Sequence, residues 1–175
     1  MGREHASPPP YGFTLLELLG VLALIAALSA WGLPSFQAFN QRNARAAAVN
    51  QLQSVVALAR NSAIVLRDNV ILCPSAPDRQ RCADTWSREL LIIRGRDARA
   101  AGAGDVLHIM PSPHARILYN RHPMRIRFDM LGHSVGTNGS FSVCPATPSG
   151  GGQGAALALS QLGRLRLKSR PADCL

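Results

Sequence analysis

Gly12-Phe13-Thr14-Leu15-Leu16-Glu17-Leu18-Leu19 opens the apolar run from which the rest of the chain is read. Phe13 to Leu33 is 21 residues. At about 1.5 Å per helical residue that suffices to cross a bilayer core of about 30 Å. The run holds one charge, Glu17. A carboxylate in hydrocarbon is unfavourable unless neutralised or paired, so the position reads as functional. The plainer alternative is an uncleaved signal anchor in which Glu17 has no role. Ahead of the run lies a short leader, 1–12, with Arg3 as its basic residue and Pro8-Pro9-Pro10 opposing helix.

The stretch Gly12-Phe13-Thr14-Leu15-Leu16-Glu17-Leu18 resembles the processing site of type IV pilins and type II secretion pseudopilins. The resemblance implies cleavage after Gly12 by a membrane-embedded prepilin peptidase and N-methylation of the new terminus, Phe13. The apolar run would stay in the product, unlike an ordinary secretory signal. It also implies an assembly role for Glu17, one helical turn from the freed amine. A neighbouring subunit's amine can pair with that carboxylate in the membrane and set helix register. Pro34 stands where the family carries a helix-softening proline. Tyr11 departs from the pattern, which places Lys or Arg beside the cleaved glycine.

The chain has 175 residues, 47% of them hydrophobic. About 140 lie outside the apolar run, enough for one ordinary core. The formal charge is +9, from 19 Lys and Arg against 10 Asp and Glu, and Lys168 is the sole lysine. Arginine's planar fork suits phosphate, although a GC-rich genome gives the same bias, so composition points only weakly to a polyanion partner.

After Pro34, Phe36, Phe39, Val49, Leu52, Val55, Val56, Leu58, Ala59 and Ala63 recur at three- and four-residue spacing. This predicts an amphipathic helix to about Leu66, continuous with the apolar run. Arg42, Arg45, Arg60 and Arg67 fall among its polar positions and read as a solvated face. From Asp68 onward, short apolar runs are separated by Gly, Pro and Asn, a β texture. Candidate strands are Val70–Cys73, Glu89–Arg94, Val106–Met110, Ile117–Tyr119, Arg125–Asp129, Ser140–Cys144, Ala155–Ser160 and Arg164–Lys168, of which one or two are expected to drop out. The expected fold class is α+β, a long N-terminal helix packed on two small antiparallel sheets. The expected segments are 1–12 leader, 13–33 membrane half of the helix, 34–67 amphipathic half, and 68–175 β head with a basic tail. The stretch 148–154 reads as a flexible loop.

Four cysteines in a part of the chain that should face an oxidising space suggest disulfides. Cys73 and Cys82 would clamp a Pro-containing loop, and Cys144 and Cys174 would tie the tail to a strand. The rival is a metal site, but no CxxC pair exists and His108, His114, His122 and His133 lack ligand spacing. No cofactor is expected. Nor is an enzyme: there is no nucleophile elbow, phosphate-cradling loop or paired carboxylates, and Asp78, Asp84, Asp97 and Asp105 read as turn residues.

Within the pilin superfamily the head resembles the FimT/GspH group of minor pilins and pseudopilins. The stretches that carry this are Val70-Ile71-Leu72-Cys73 with Cys82 and Trp86, then Phe128, Gly132 and Gly139-Ser140-Phe141 with Cys144, then Ala156-Leu157-Ala158-Leu159 running to Ser160 and Gly163-Arg164-Leu165-Arg166. In FimT-type minor pilins of naturally competent bacteria, a Gly-Arg-x-Arg element near the C-terminus binds DNA during uptake. The resemblance therefore implies DNA binding by Gly163, Arg164, Arg166, Lys168 and Arg170. It further implies partners in the other pilins of the fibre, and a single-pass inner-membrane location before assembly into the pilus.

In a strand, Arg164, Arg166 and Lys168 project from one face, about 7 Å per step. Gly163 has no side chain to obstruct a backbone and suits a turn. Arg170 would extend the stripe, and Arg125 and Arg127 alternate in the same way as a weaker extension. The plain alternative is a basic edge strand that opposes sheet-to-sheet aggregation. The tail lacks stacking aromatics and Asn or Gln forks, so binding would be backbone-directed, sequence-tolerant and salt-dependent. The competing function is structural: a GspH-like pseudopilin of type II secretion, or a pilus-priming subunit without DNA binding.

Overall fold

The fold, a computed structural model, describes residues 14–86, 88–97, 103–111, 114–122, 124–134, 136–146 and 153–174, with backbone alone at 31–35, 37 and 38. The expected leader, the cleavage and methylation positions Gly12 and Phe13, and most of the 148–154 loop lie outside these residues. Helix α1 runs from Leu15 to Leu66 and continues through position 34. Thr14 caps it: its Oγ1 accepts from Glu17 N at 3.2 Å, and its carbonyl accepts from Leu18 N. Thr14 and Glu17 stand in the spacing of a capping box, and an acidic first turn suits the helix dipole.

The chain divides between Asn40 and Gln41. Before the division, the described side chains from Leu15 to Ala30 are all exposed. Among the described residues no helix is long and apolar enough to cross a membrane. The run 13–33 that carries that expectation reaches past those side chains at both ends. Phe36 and Phe39, placed by spacing in the apolar stripe, are also exposed.

After the division, Ala48, Val49, Leu52, Val55, Val56, Ala59 and Ala63 of α1 are buried in the main core. Their three- and four-residue spacing sets one stripe against the sheets. The first sheet contains β1 (Val70–Pro74), β2 (Leu90–Arg94), β3 (Val106–Met110) and β5 (Ile126–Phe128), in the order β3-β2-β1-β5. The second contains β4 (Arg116–Tyr119), β6 (Gly139–Cys144), β7 (Ala155–Leu159) and β8 (Leu165–Leu167), in the order β4-β6-β7-β8. All neighbours are antiparallel. The expectation that one or two of eight strands would drop out is corrected: all eight form. The two shortest, β5 and β8, survive because each pairs along a longer neighbour.

The inward faces of both sheets meet α1 in one core. Val70, Leu72, Leu90, Ile92, Ile126 and Phe128 come from the first sheet; Ile117, Tyr119, Phe141, Val143, Leu157 and Leu159 come from the second. Trp86 packs edge-on against Tyr119 and Phe141, which stack on each other. The Tyr119 hydroxyl donates to the Thr137 carbonyl, and burial pushes its phenol up to about 12.

Candidate functional site

The basic stripe begins with a hairpin that only glycine can close as drawn. Gly163 N donates to Ser160 O, and Ser160 N donates to Arg164 O, both at 2.9 Å. This makes a three-residue loop, with Gly163 at φ +71° in the left-handed position such loops require. Gly163 is also buried. A Cβ there would lie 2.2 Å from the Gly132 carbonyl, with Arg60 Cδ and Phe128 Cε1 each at 3.1 Å. The sequence reading that leaves Gly163 open for a nucleic-acid backbone is therefore corrected; this glycine joins the β7–β8 turn to the turn after β5. Arg60 is corrected with it. It is half-buried, not on a solvated face, and its Nε donates to Gly132 O at 3.1 Å.

Beyond the turn the alternation holds. Leu165 packs toward the core, Arg166 stands opposite Ala158, and Lys168 N donates to Ala156 O at 2.8 Å. Arg164, Arg166 and Lys168 are all exposed and fall on the outward side of the second sheet. The neighbouring outward positions are small: Ala156 and Ala158 on β7, Ser140 and Ser142 on β6. Long basic side chains on the edge strand thus overlook a low surface. Lys168 Nζ reaches across β7 to donate to Ser140 Oγ at 2.8 Å. Among the described residues, no ion pair includes Arg164, Arg166, Lys168 or Arg170.

The tail is fixed after the strand. Gly154 and Ala172 exchange two backbone hydrogen bonds at 2.9 Å each. Cys144 and Cys174 are bonded, and Arg116 Nη2 donates to Cys174 O at 2.6 Å. Gly154 allows this approach, since a Cβ there would lie 2.4 Å from Cys174 Sγ. Arg170 lies past the strand, in the bend between these fixed points, so it leaves the stripe's line. The second bond, Cys73–Cys82, closes the loop after β1 against the outward side of the first sheet.

The remaining sequence-derived positions fall elsewhere. Glu17 is exposed in the first turn of α1. Arg127 pairs opposite Ile71 on β1, and Arg125 lies 4.0 Å from Asp97, so both belong to the first sheet and do not join the stripe on β8. Among the described residues no group of three or more His, Cys, Asp or Glu could hold a metal. Asp78 acts within its turn, accepting from Gln80 N and Arg81 Nε, and these bonds hold its carboxyl below the usual range. Two bases that the sequence places on the solvated face of α1, Arg42 and Arg45, line a groove together with Lys168 and Arg170. No local pattern marks them, because that neighbourhood exists only after the tail docks.

Comparison with solved structures finds the type IV minor pilin FimU of Pseudomonas aeruginosa in two crystal forms. One matches at 22% identity with a TM-score of 0.60, covering 78% of this chain and 99% of that one. The other matches at 22% identity and 0.56, covering 73% and 98%. At that identity the likeness concerns the fold. No curated protein matches the chain in sequence. The family model of the type II transport protein GspH matches residues 48–163, from the buried half of α1 to the glycine of the β7–β8 turn. The chain belongs to the GspH family, within the type IV pilin and pseudopilin superfamily.

Proposed function

We propose that this protein is a minor type IV pilin that binds extracellular DNA through the outward stripe of β8, for uptake in natural transformation. The observation that carries the reading is the row Arg164, Arg166 and Lys168 on an edge strand beside small neighbours, with the following tail fixed by a disulfide. Such a surface meets phosphates without steric obstruction and without rearranging on contact. It presents no aromatic platform or amide fork for bases, so binding is backbone-directed and sequence-tolerant. In this reading the leader is removed after Gly12 by prepilin peptidase, Phe13 is methylated, and residues 13–33 hold the subunit in the inner membrane. Glu17 then pairs with a neighbouring subunit's terminus as the fibre assembles.

The family match favours a second reading, a structural pseudopilin of type II secretion whose basic stripe meets acidic neighbours in the fibre. Titration of the full-length chain in non-ionic detergent with duplex DNA at two salt concentrations separates them. The DNA reading expects binding that weakens with salt at a log–log slope of roughly −2 to −4, for three or four phosphates neutralised. It also expects an Arg164→Ala/Arg166→Ala variant to lose that binding while keeping its sheet spectrum and disulfides. No binding by the unaltered chain at low salt would leave the structural reading standing.

A further inference from the structure

The groove that joins α1 to the tail has no place in the reading above. It has a volume of about 460 Å³, and its lining includes Arg42, Arg45, Lys168, Arg170 and Pro171. Four cationic residues from two separate elements line it, and among the described residues the lining contains no carboxylate. Among the described residues none of the four is in an ion pair. A concave surface of one sign focuses its field on whatever enters, and this one favours an anion.

The walls are held in place before any ligand arrives. The Arg45 guanidinium donates to the Gln153 carbonyl at the entry to β7. The tail is held on either side of Arg170, by Lys168 N on Ala156 O and by the Gly154–Ala172 pair. Lys168 belongs to both surfaces, lining the groove while its ammonium touches Ser140 on the sheet. The bases of the strand, Arg164, Arg166 and Lys168, are thus followed around a bend by Arg170, which stands off their line at the groove wall.

We propose that this groove is a second phosphate-binding station, where a nucleic-acid backbone leaving the β8 stripe is taken between Arg170 and the Arg42/Arg45 turn of α1. The inference rests on the DNA reading and extends it with residues outside the Gly163–Arg166 element. The volume fits a run of backbone rather than a lone small anion. Apolar side chains such as Val49, Leu167 and Pro171 share the lining, and the four cations set the sign of the ligand it favours.

The experiment compares full-length chains in non-ionic detergent, titrated with duplex DNA across a salt series. Arg42→Gln/Arg45→Gln is expected to weaken binding roughly tenfold near physiological salt and to make the log–log slope shallower by about 1–2. Arg42→Gln/Arg170→Gln, which touches only exposed side chains, is expected to act in the same direction and covers the case in which loss of the Arg45 bond disturbs folding. Unchanged affinity and slope in both variants, beside lost binding in Arg164→Ala/Arg166→Ala, would confine DNA to the sheet and overturn the second station alone. No binding by the unaltered chain would overturn the DNA reading and this inference together. If the groove variants lose only their binding to phosphatidylglycerol vesicles and keep DNA affinity, the groove is a lipid-headgroup site and the inference fails.

Discussion

Each sheet has four short strands, yet the two central strands of the first are buried on both sides, while the second keeps its outward side open. In the first sheet β1 is buried along its whole length and β2 at every position but Arg94. Val70, Leu72, Leu90 and Ile92 face the main core, while Ile71, Cys73, Leu91 and Ile93 form a second small cluster with Cys82 and Val106. In the second sheet β7 and β8 alternate, with Leu157 and Leu159 inside and Ala156, Ala158, Arg166 and Lys168 outside. A strand whose two faces are both buried has no side chains left for a partner. The second sheet keeps one face in solvent and sets bases on it, and under the proposed DNA reading that face would serve recognition while the first sheet serves stability.

The largest expected effect breaks this contrast from the stable side. Leu91→Ala removes a fully buried side chain from the outward cluster of the first sheet and is expected to destabilise the protein by about 2–5 kcal/mol. Ala158→Glu, opposite Arg166 on the second sheet, is expected to move stability by less than about 1 kcal/mol. It should nevertheless weaken DNA binding, because a carboxylate then stands among the bases. Urea unfolding and DNA titration of both variants decide the matter. Comparable destabilisation by the two would mean that the outward face of the second sheet is structural as well.

Gly163→Ala comes next and tests where recognition begins. The added methyl meets the Gly132 carbonyl, and the left-handed backbone is itself unfavourable for alanine. A loss of about 2–4 kcal/mol is expected. Any DNA binding lost with it should return under conditions that restore the fold, whereas the Arg164→Ala/Arg166→Ala loss should persist in a folded protein. If Gly163→Ala folds normally and still fails to bind DNA, the glycine touches the ligand and the boundary between frame and site moves by one residue.

These contrasts were unequally legible in the sequence. The alternation of Ala155–Ser160 and Arg164–Lys168 displays the outward bases directly, and the long spacing pattern from Val49 to Ala63 displays the buried stripe of α1. The cysteine spacing suggested both bonds that the structure contains. The short strands were harder, because three residues such as Ile126–Phe128 have no stability of their own and owe their order to β1, far away in sequence. Arg60 was misread for a related reason. Its polar position on the helix fits solvent, and only the turn at Gly132 supplies its buried acceptor. Arg42 and Arg170 meet at one groove only after the tail docks beside β7, so no window along the chain contains the signal.

The smallest effect concerns the junction where α1 hands the chain to the first sheet. Asp68 N donates to Ala63 O and Arg67 N to Ile64 O, which together form a Schellman cap with Arg67 at the position usually taken by glycine. Arg67 has φ +48°, a conformation in which a Cβ crowds the following carbonyl. Arg67→Gly relieves that crowding but gives the unfolded chain more freedom, so the net gain is expected to be modest, about 0.5–1 kcal/mol, read from the urea midpoint. The substitution also removes one positive charge from the end of the helix that feeds β1, outside the row Arg164, Arg166 and Lys168. DNA affinity should therefore stay within a factor of about two of the unaltered chain, since a charge lying away from the contacted phosphates is screened by salt. A tenfold loss would show that net charge, not the arrangement on the second sheet, governs binding, and the division of labour between the sheets would then have to be given up.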